Sequence, residues 1–378
     1  MALKQDFKSI EEILNNKVYK NDVLELKSII YGYDISSCSI LEETIFLANR
    51  CSLTDPTPHL IALDSKTLKE KWKFNYEYAE AGTGNIISKN GLLYFGDEKQ
   101  VHIIDAKTGE EKWKFDYNYP YKKESTVGVG KIALNNGVLY LADYKQVCAI
   151  DLETKVINWK FPSEDAEDFN VFPYYEQLRP PMVYNNQIYF AFENGKIYCL
   201  NSNNGKEVWK YIIPDKNIKL EVIAGNSIVP IECFTTPISP ISHNKMIIFG
   251  DKKEVHALDK DTGEKKWAFP TKDDRKIEIY GKDENIFLSD GYGVHILNSK
   301  NGKEESRIPY EGWVDCMHAD ADNFYICFKN MLYVLDLANL KEKLKFSLDS
   351  TIFNIHNKNN QLYIETCNNN LYIFDKKC

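Results

Sequence analysis

Short apolar runs alternate with clusters of turn residues along the whole chain. Leu-Ile-Ala-Leu ends at Asp64, Leu-Tyr-Val-Leu ends at Asp336, and Asn-Gly-Leu-Leu-Tyr-Phe-Gly spans 90–96. Each run has the length and composition of a β-strand, and the residues between them are those that close tight turns. Helical spacing occurs at the start, where Ile10, Ile13 and Leu14 fall on one face of Ser9–Asn15 and predict a short N-terminal helix. The rest of the pattern predicts β-structure.

The strands recur in groups. Residues 255–269 read Val-His-Ala-Leu-Asp-Lys-Asp-Thr-Gly-Glu-Lys-Lys-Trp-Ala-Phe, and residues 101–115 read Val-His-Ile-Ile-Asp-Ala-Lys-Thr-Gly-Glu-Glu-Lys-Trp-Lys-Phe. Each copy can be anchored on an Asp or Asn: Asp64, Asp105, Asp151, Asn201, Asp259, Asn298, Asp336 and Asp375. Trp stands eight residues later at Trp72, Trp113, Trp159, Trp209 and Trp267, and Gly four residues later at Gly109, Gly205, Gly263 and Gly302. Each anchor closes one strand, a turn follows, and the Trp strand returns. Two more strands precede the anchor, so a unit is four antiparallel strands in about 40 residues, the size of a propeller blade.

These units predict an all-β, eight-bladed β-propeller, with seven blades as the alternative if one weak unit is irregular. Residues 1–20 are assigned to the N-terminal helix or cap and 21–378 to a single propeller. The last unit stops three residues after Asp375 and lacks a fourth strand. The alternating segment Asp22–Ile29 has no other obvious partner and is expected to complete that blade, which removes an open sheet edge.

The pattern Ala257-Leu258-Asp259, Thr262-Gly263, Trp267 resembles the tryptophan-docking repeat of the PQQ-like β-propellers, over about residues 22–378. That superfamily is named for quinone-dependent dehydrogenases and includes a lipoprotein of bacterial outer-membrane assembly. The resemblance implies that the five tryptophans dock neighbouring blades. It does not imply the quinone here. The family's enzymes have a longer chain, a signal peptide and a vicinal Cys-Cys pair, whereas no two of the nine cysteines in this sequence are adjacent. No cofactor is expected.

Candidate chemistry is sparse. His102, His256 and His295 all stand three residues before an anchor, so they are equivalent positions in different blades. No spaced His or Cys pair suggests a metal site, and no nucleophile elbow or phosphate loop is present. Neither metal nor catalytic residues are therefore assigned, and the chain is read as a non-enzyme.

Composition narrows the partner. The net charge of −8 disfavours nucleic acid or an anionic membrane and favours a basic protein. The first residues carry no apolar core of signal-peptide length, and the cysteines form no regular set, which suggests a reducing cytoplasm. Anchor spacing widens over the three consecutive intervals from Asp105 to Asp259, and the excess falls mostly after each Trp strand. Such loops share one face of a propeller and are where function gathers. Around them lie Tyr76, Tyr78, Glu80, Tyr117, Tyr119, Tyr121, Glu164, Asp165, Glu167, Asp168, Phe169, Phe172, Tyr174, Tyr175 and Glu176. Tyrosines anchor protein interfaces and carboxylates steer basic partners, so this face is the expected binding surface. The specific reading is a bacterial immunity protein that neutralises a basic toxin domain, such as a nuclease. A scaffold in a larger assembly and a carbohydrate-active propeller enzyme are the alternatives.

Overall fold

The computed structural model describes residues 22–377 except 32–34, 50–56, 78–84, 98, 117–130, 143–146, 162–180, 193–195, 215–216, 225–226, 235–239, 252, 273–276, 292 and 311–313. The expected N-terminal helix lies outside the described residues. Within them every helix or strand element is a strand.

Eight four-stranded antiparallel sheets form the eight blades. Blades 1 to 7 span 35–75, 87–116, 131–161, 182–212, 241–270, 278–308 and 316–347. Blade 8 joins 352–376 to the N-terminal strand Leu24–Ile30, which pairs with Leu371–Lys376 from Leu24↔Lys376 to Ile30↔Leu371. The two ends of the described chain thus close one blade. First strands of successive blades neighbour one another and form the inner wall of the ring.

The burial pattern follows from this stacking. In blade 5 the second strand, Met246–Gly250, is buried throughout, because blades cover both its faces. The outer strand Lys265–Pro270 exposes its lysines and buries Trp267. The core is therefore not one mass but a series of apolar layers between blades, such as the layer joining Tyr94 and Val101 of blade 2 to Ile132 and Leu139 of blade 3.

The anchors work through their side chains. Asp105 Oδ1 accepts from the amides of Lys107 and Thr108, and Asp259 Oδ1 accepts from those of Asp261 and Thr262. These bonds need the carboxylate form. At Asp64 the Thr67 amide and hydroxyl lead in lowering the pKa to about 2. One residue past the bonded pair, the amide of the fourth residue returns to the anchor carbonyl, as Gly263 N does to Asp259 O at 2.8 Å. That return requires a left-handed residue, with φ +73 at Gly263.

Candidate functional site

Four tryptophans tie blade to blade. Trp72, Trp159, Trp209 and Trp267 donate from Nε1 to the carbonyls of Ala106, Ser202, Lys260 and Ser299 in the next blade, at 2.9 to 3.1 Å. Each indole lies flat against that blade's turn glycine. A Cβ added to Gly109, Gly205, Gly263 or Gly302 would come within 2.7 Å of the ring. Trp113 departs from the set. Lys155, at φ +62, occupies the glycine place, and its ammonium lies 5.7 Å from the Trp113 ring centroid.

The three repeat histidines stay apart, each inside its own blade. Each is held by a buried aspartate five residues earlier, a partner that the sequence reading did not single out. His102 Nε2 is 3.2 Å from Asp97 and its Nδ1 is 2.7 Å from Glu111. His256 Nε2 is 2.6 Å from Asp251. His295 is 3.0 Å from Asp290 and 2.9 Å from Glu304. Burial disfavours the His295 cation, but these two carboxylates outweigh it and raise its pKa. Asp97 also caps its own turn, accepting from the amides of Lys99 and Gln100. The recurring Asp-x4-His spacing was a visible signal of this pairing.

Each connection from an outer strand to the next inner strand emerges on the face that also carries the turns between second and third strands. The connections at 117–130, 162–181 and 213–240 are long, while those at 271–277, 309–315 and 348–351 are short. The last long one contains an element that the sequence pattern did not resolve. Asn217–Ala224 and Ser227–Phe234 form a two-stranded ribbon outside the blades. Its register pairs Leu220 with Ile231 and Val222 with Val229, alternating with Lys219↔Glu232 and Glu221↔Pro230.

Of the expected partner-binding residues, Tyr76 lies within the described residues. Its placement corrects its assignment. It is 5% exposed, its Oη donates to Asn49 O at 2.6 Å, and its ring packs edge-on to Phe95 at 5.3 Å. Tyr76 therefore packs blade 1 on blade 2. An aromatic residue just past a strand reads the same in sequence whether it packs or protrudes. The other residues assigned to that face, from Tyr78 to Glu176, lie outside the described residues.

One further cluster joins residues that no sequence spacing connects. At the seam between blades 8 and 1, Cys38, His356 and Glu365 bring one donor atom each within 4.8 Å of one another. The His356 Nε2 atom contacts Glu365 Oε1, and Asn354 Nδ2 donates to the same oxygen at 3.0 Å. Glu365 Oε2 is buried and has no hydrogen-bond partner among the described residues. Burial and the Glu365 charge push the Cys38 thiol well above its ordinary value, so it is no thiolate nucleophile.

A family model described as outer membrane protein assembly factor BamB matches residues 56–230. A search of curated protein sequences found no match. Among solved structures, BamB from Moraxella catarrhalis aligns over 93% of this chain and 100% of its own, at 15% identity and TM-score 0.66. The computationally designed Ika8 protein aligns over 93% and 98%, at 10% identity and TM-score 0.67. A europium-containing methanol dehydrogenase aligns over 93% of each chain, at 12% identity and TM-score 0.62. The chain is an eight-bladed β-propeller, and the family model covers less than half of it. No two cysteines of the sequence are adjacent. Cys38, Cys148, Cys199 and Cys327 are buried in the layers between blades.

Proposed function

We propose that this propeller is a non-catalytic protein that binds another protein on the face bearing its long connections. One observation carries the reading: three consecutive blade junctions, 117–130, 162–181 and 213–240, are long in sequence, and the strands that flank them end on the same face of the ring. A rigid ring with enlarged loops on one side is built to present a surface. The fold does not choose the function, since it is shared with an assembly factor, a designed protein and a dehydrogenase.

The partner we propose is basic. The chain carries a net charge of −8, and the connection at 162–181 contains Glu164, Asp165, Glu167 and Asp168. Carboxylates gathered on a binding face raise the on-rate of a basic protein. The narrower form of the proposal is an immunity protein of the bacterial cytoplasm that covers a toxin domain and uses no quinone. An assembly scaffold is the second reading, supported by the description of the family model that matches 56–230.

Co-purification from the native cell tests the proposal. The expected result is a stoichiometric basic partner that is lost when Glu164, Asp165, Glu167 and Asp168 all become Lys. Retention of the partner by the folded variant would remove the electrostatic part. Quinone uptake with alcohol oxidation by the purified chain would replace the whole reading.

A further inference from the structure

The blades can be compared position by position through their register. Consider the second-strand residue that pairs with the third-strand residue four before the anchor. In blades 1 to 7 it is Ala48, Gly96, Ala142, Ala191, Gly250, Ser289 and Cys327. All are small, as the tight packing against the next blade requires. In blade 8 the same place, opposite Leu371, holds Glu365, which is 1% exposed.

Two neighbours of Glu365, His356 and Cys38, complete the cluster. His356, opposite Tyr363, stands where blades 2 and 3 have Ile87 opposite Tyr94 and Ala133 opposite Tyr140, while blade 7 has His318 opposite Tyr325. Cys38, opposite Leu47, stands where blades 3 and 6 have Ile132 and Ile279. Packing alone gives no reason to bury an acid beside an imidazole and a thiol at this seam, where the other seven blades have a small residue in the Glu365 place. A buried carboxyl oxygen without a partner costs stability on its own.

We propose that Cys38, His356 and Glu365 are the protein ligands of a divalent metal site of the zinc class, held at the seam between blades 8 and 1. Sulfur, imidazole and carboxylate are the zinc donor set. Metal–ligand bonds of about 2.0–2.3 Å in a tetrahedral site bring donors to about 3.5 Å of one another. The present donors, all within 4.8 Å, can reach that by side-chain rotation.

A dication also balances the charges. On binding, the Cys38 proton passes to solvent, and the thiolate and carboxylate neutralise the ion inside the protein. Glu365 Oε2 then gains the partner it lacks. Asn354, donating to Glu365 Oε1, holds the carboxylate in place from outside the ligand set. The His356 side chain is 28% exposed on the inner strand, which gives the ion a route in and leaves a fourth position for water.

The site is independent of the proposed binding face, so each can fail alone. The test uses the full chain stripped with chelator, with Co2+ as probe and Zn2+ as competitor. The expected result is one equivalent of Co2+, a thiolate-to-cobalt charge-transfer band, and displacement by Zn2+. Cys38→Ser should abolish the band. Glu365→Gln and His356→Gln should abolish stoichiometric binding, and Asn354→Ala should weaken it about 10–100-fold. Circular dichroism checks that the variants are folded. Absence of the band from the unmutated chain, which does not depend on any variant folding, would overturn the proposal. So would a band that survives Cys38→Ser.

Discussion

At the scale of single residues, the docking tryptophan and the turn glycine behave as one unit split between two blades. Gly263 has φ +73, and a Cβ there would sit 2.6 Å from Trp209 Cδ2. Where the tryptophan is missing, the glycine is missing too. Ser306 and Ser28 occupy the tryptophan place, opposite Ile296 and Ile373. The next blades then carry Leu340 and Leu68 in the glycine place, at φ +58 and +55. The leucines accept backbone strain and pack, partly buried, against apolar layers between blades. Gly263→Ala is therefore expected to destabilise by about 1–3 kcal/mol in urea unfolding. In the double variant Trp209→Ser with Gly263→Leu, the cost should be smaller than the sum of the single costs; simple additivity would contradict the exchange. His295 gives a pH test at the same scale. Its folded pKa is raised, so its contribution is full below about 6.5, the unfolded value. The contribution is lost as pH rises through the folded value. His295→Gln should therefore cost more stability at pH 6 than at pH 9.

At the scale of elements, the blades obey one plan and the ribbon stands outside it. The junction between third and outer strand carries a register shift two residues before each anchor, as at Ala62/Leu63, Ala257/Leu258 and Val334/Leu335. Such bulges increase the twist of the outer strand. The ribbon of Asn217–Ala224 and Ser227–Phe234 pairs only with itself among the described sheets. Excising residues 215–236 is expected to leave the melting temperature within roughly 3 °C, because no blade loses a strand. Loss of cooperative melting would show that the ribbon supports the ring. Tyr76 shows the limit of reading elements from sequence. Its neighbours in the chain suggested a loop face, yet the adjacent blade buries it against Phe95 and His102.

At the scale of the whole molecule, the ring depends on its closing blade. Asp320 of blade 7 and Lys376 of blade 8 form a shielded ion pair at 3.1 Å, and Tyr325 Oη donates to Asp320 at 2.7 Å. Burial opposes the Asp320 carboxylate, but Tyr325, the amides of Asp322 and Asn323 and the Lys376 ammonium outweigh it and lower its pKa to about 2. The sign follows: this stability is present above pH 4 and is lost as pH falls toward 2. In Asp320→Asn the acid-unfolding curve should lose its dependence on pH over that interval. Removing Leu24–Ile30 would leave the Leu371–Lys376 strand as an open edge, and size-exclusion chromatography should then show self-association. A peptide of residues 22–31 should reverse it.

The sequence by itself favoured eight blades over seven, and it determined the four-strand unit and the closure by the N-terminal strand. These rest on local spacing: an anchor side chain binds amides two and three residues away, and a glycine returns one turn later. A repeat copies such short-range chemistry, so it is legible eight times over. Only the tertiary structure decided which polar residues meet. Cys38 lies far from His356 and Glu365 in the chain, and only closure of the ring brings blade 1 against blade 8. The fate of Tyr76 was settled in the same way, by the blade packed against it. Packing between blades joins residues of any sequence separation, and no local pattern records which donors a seam will place together.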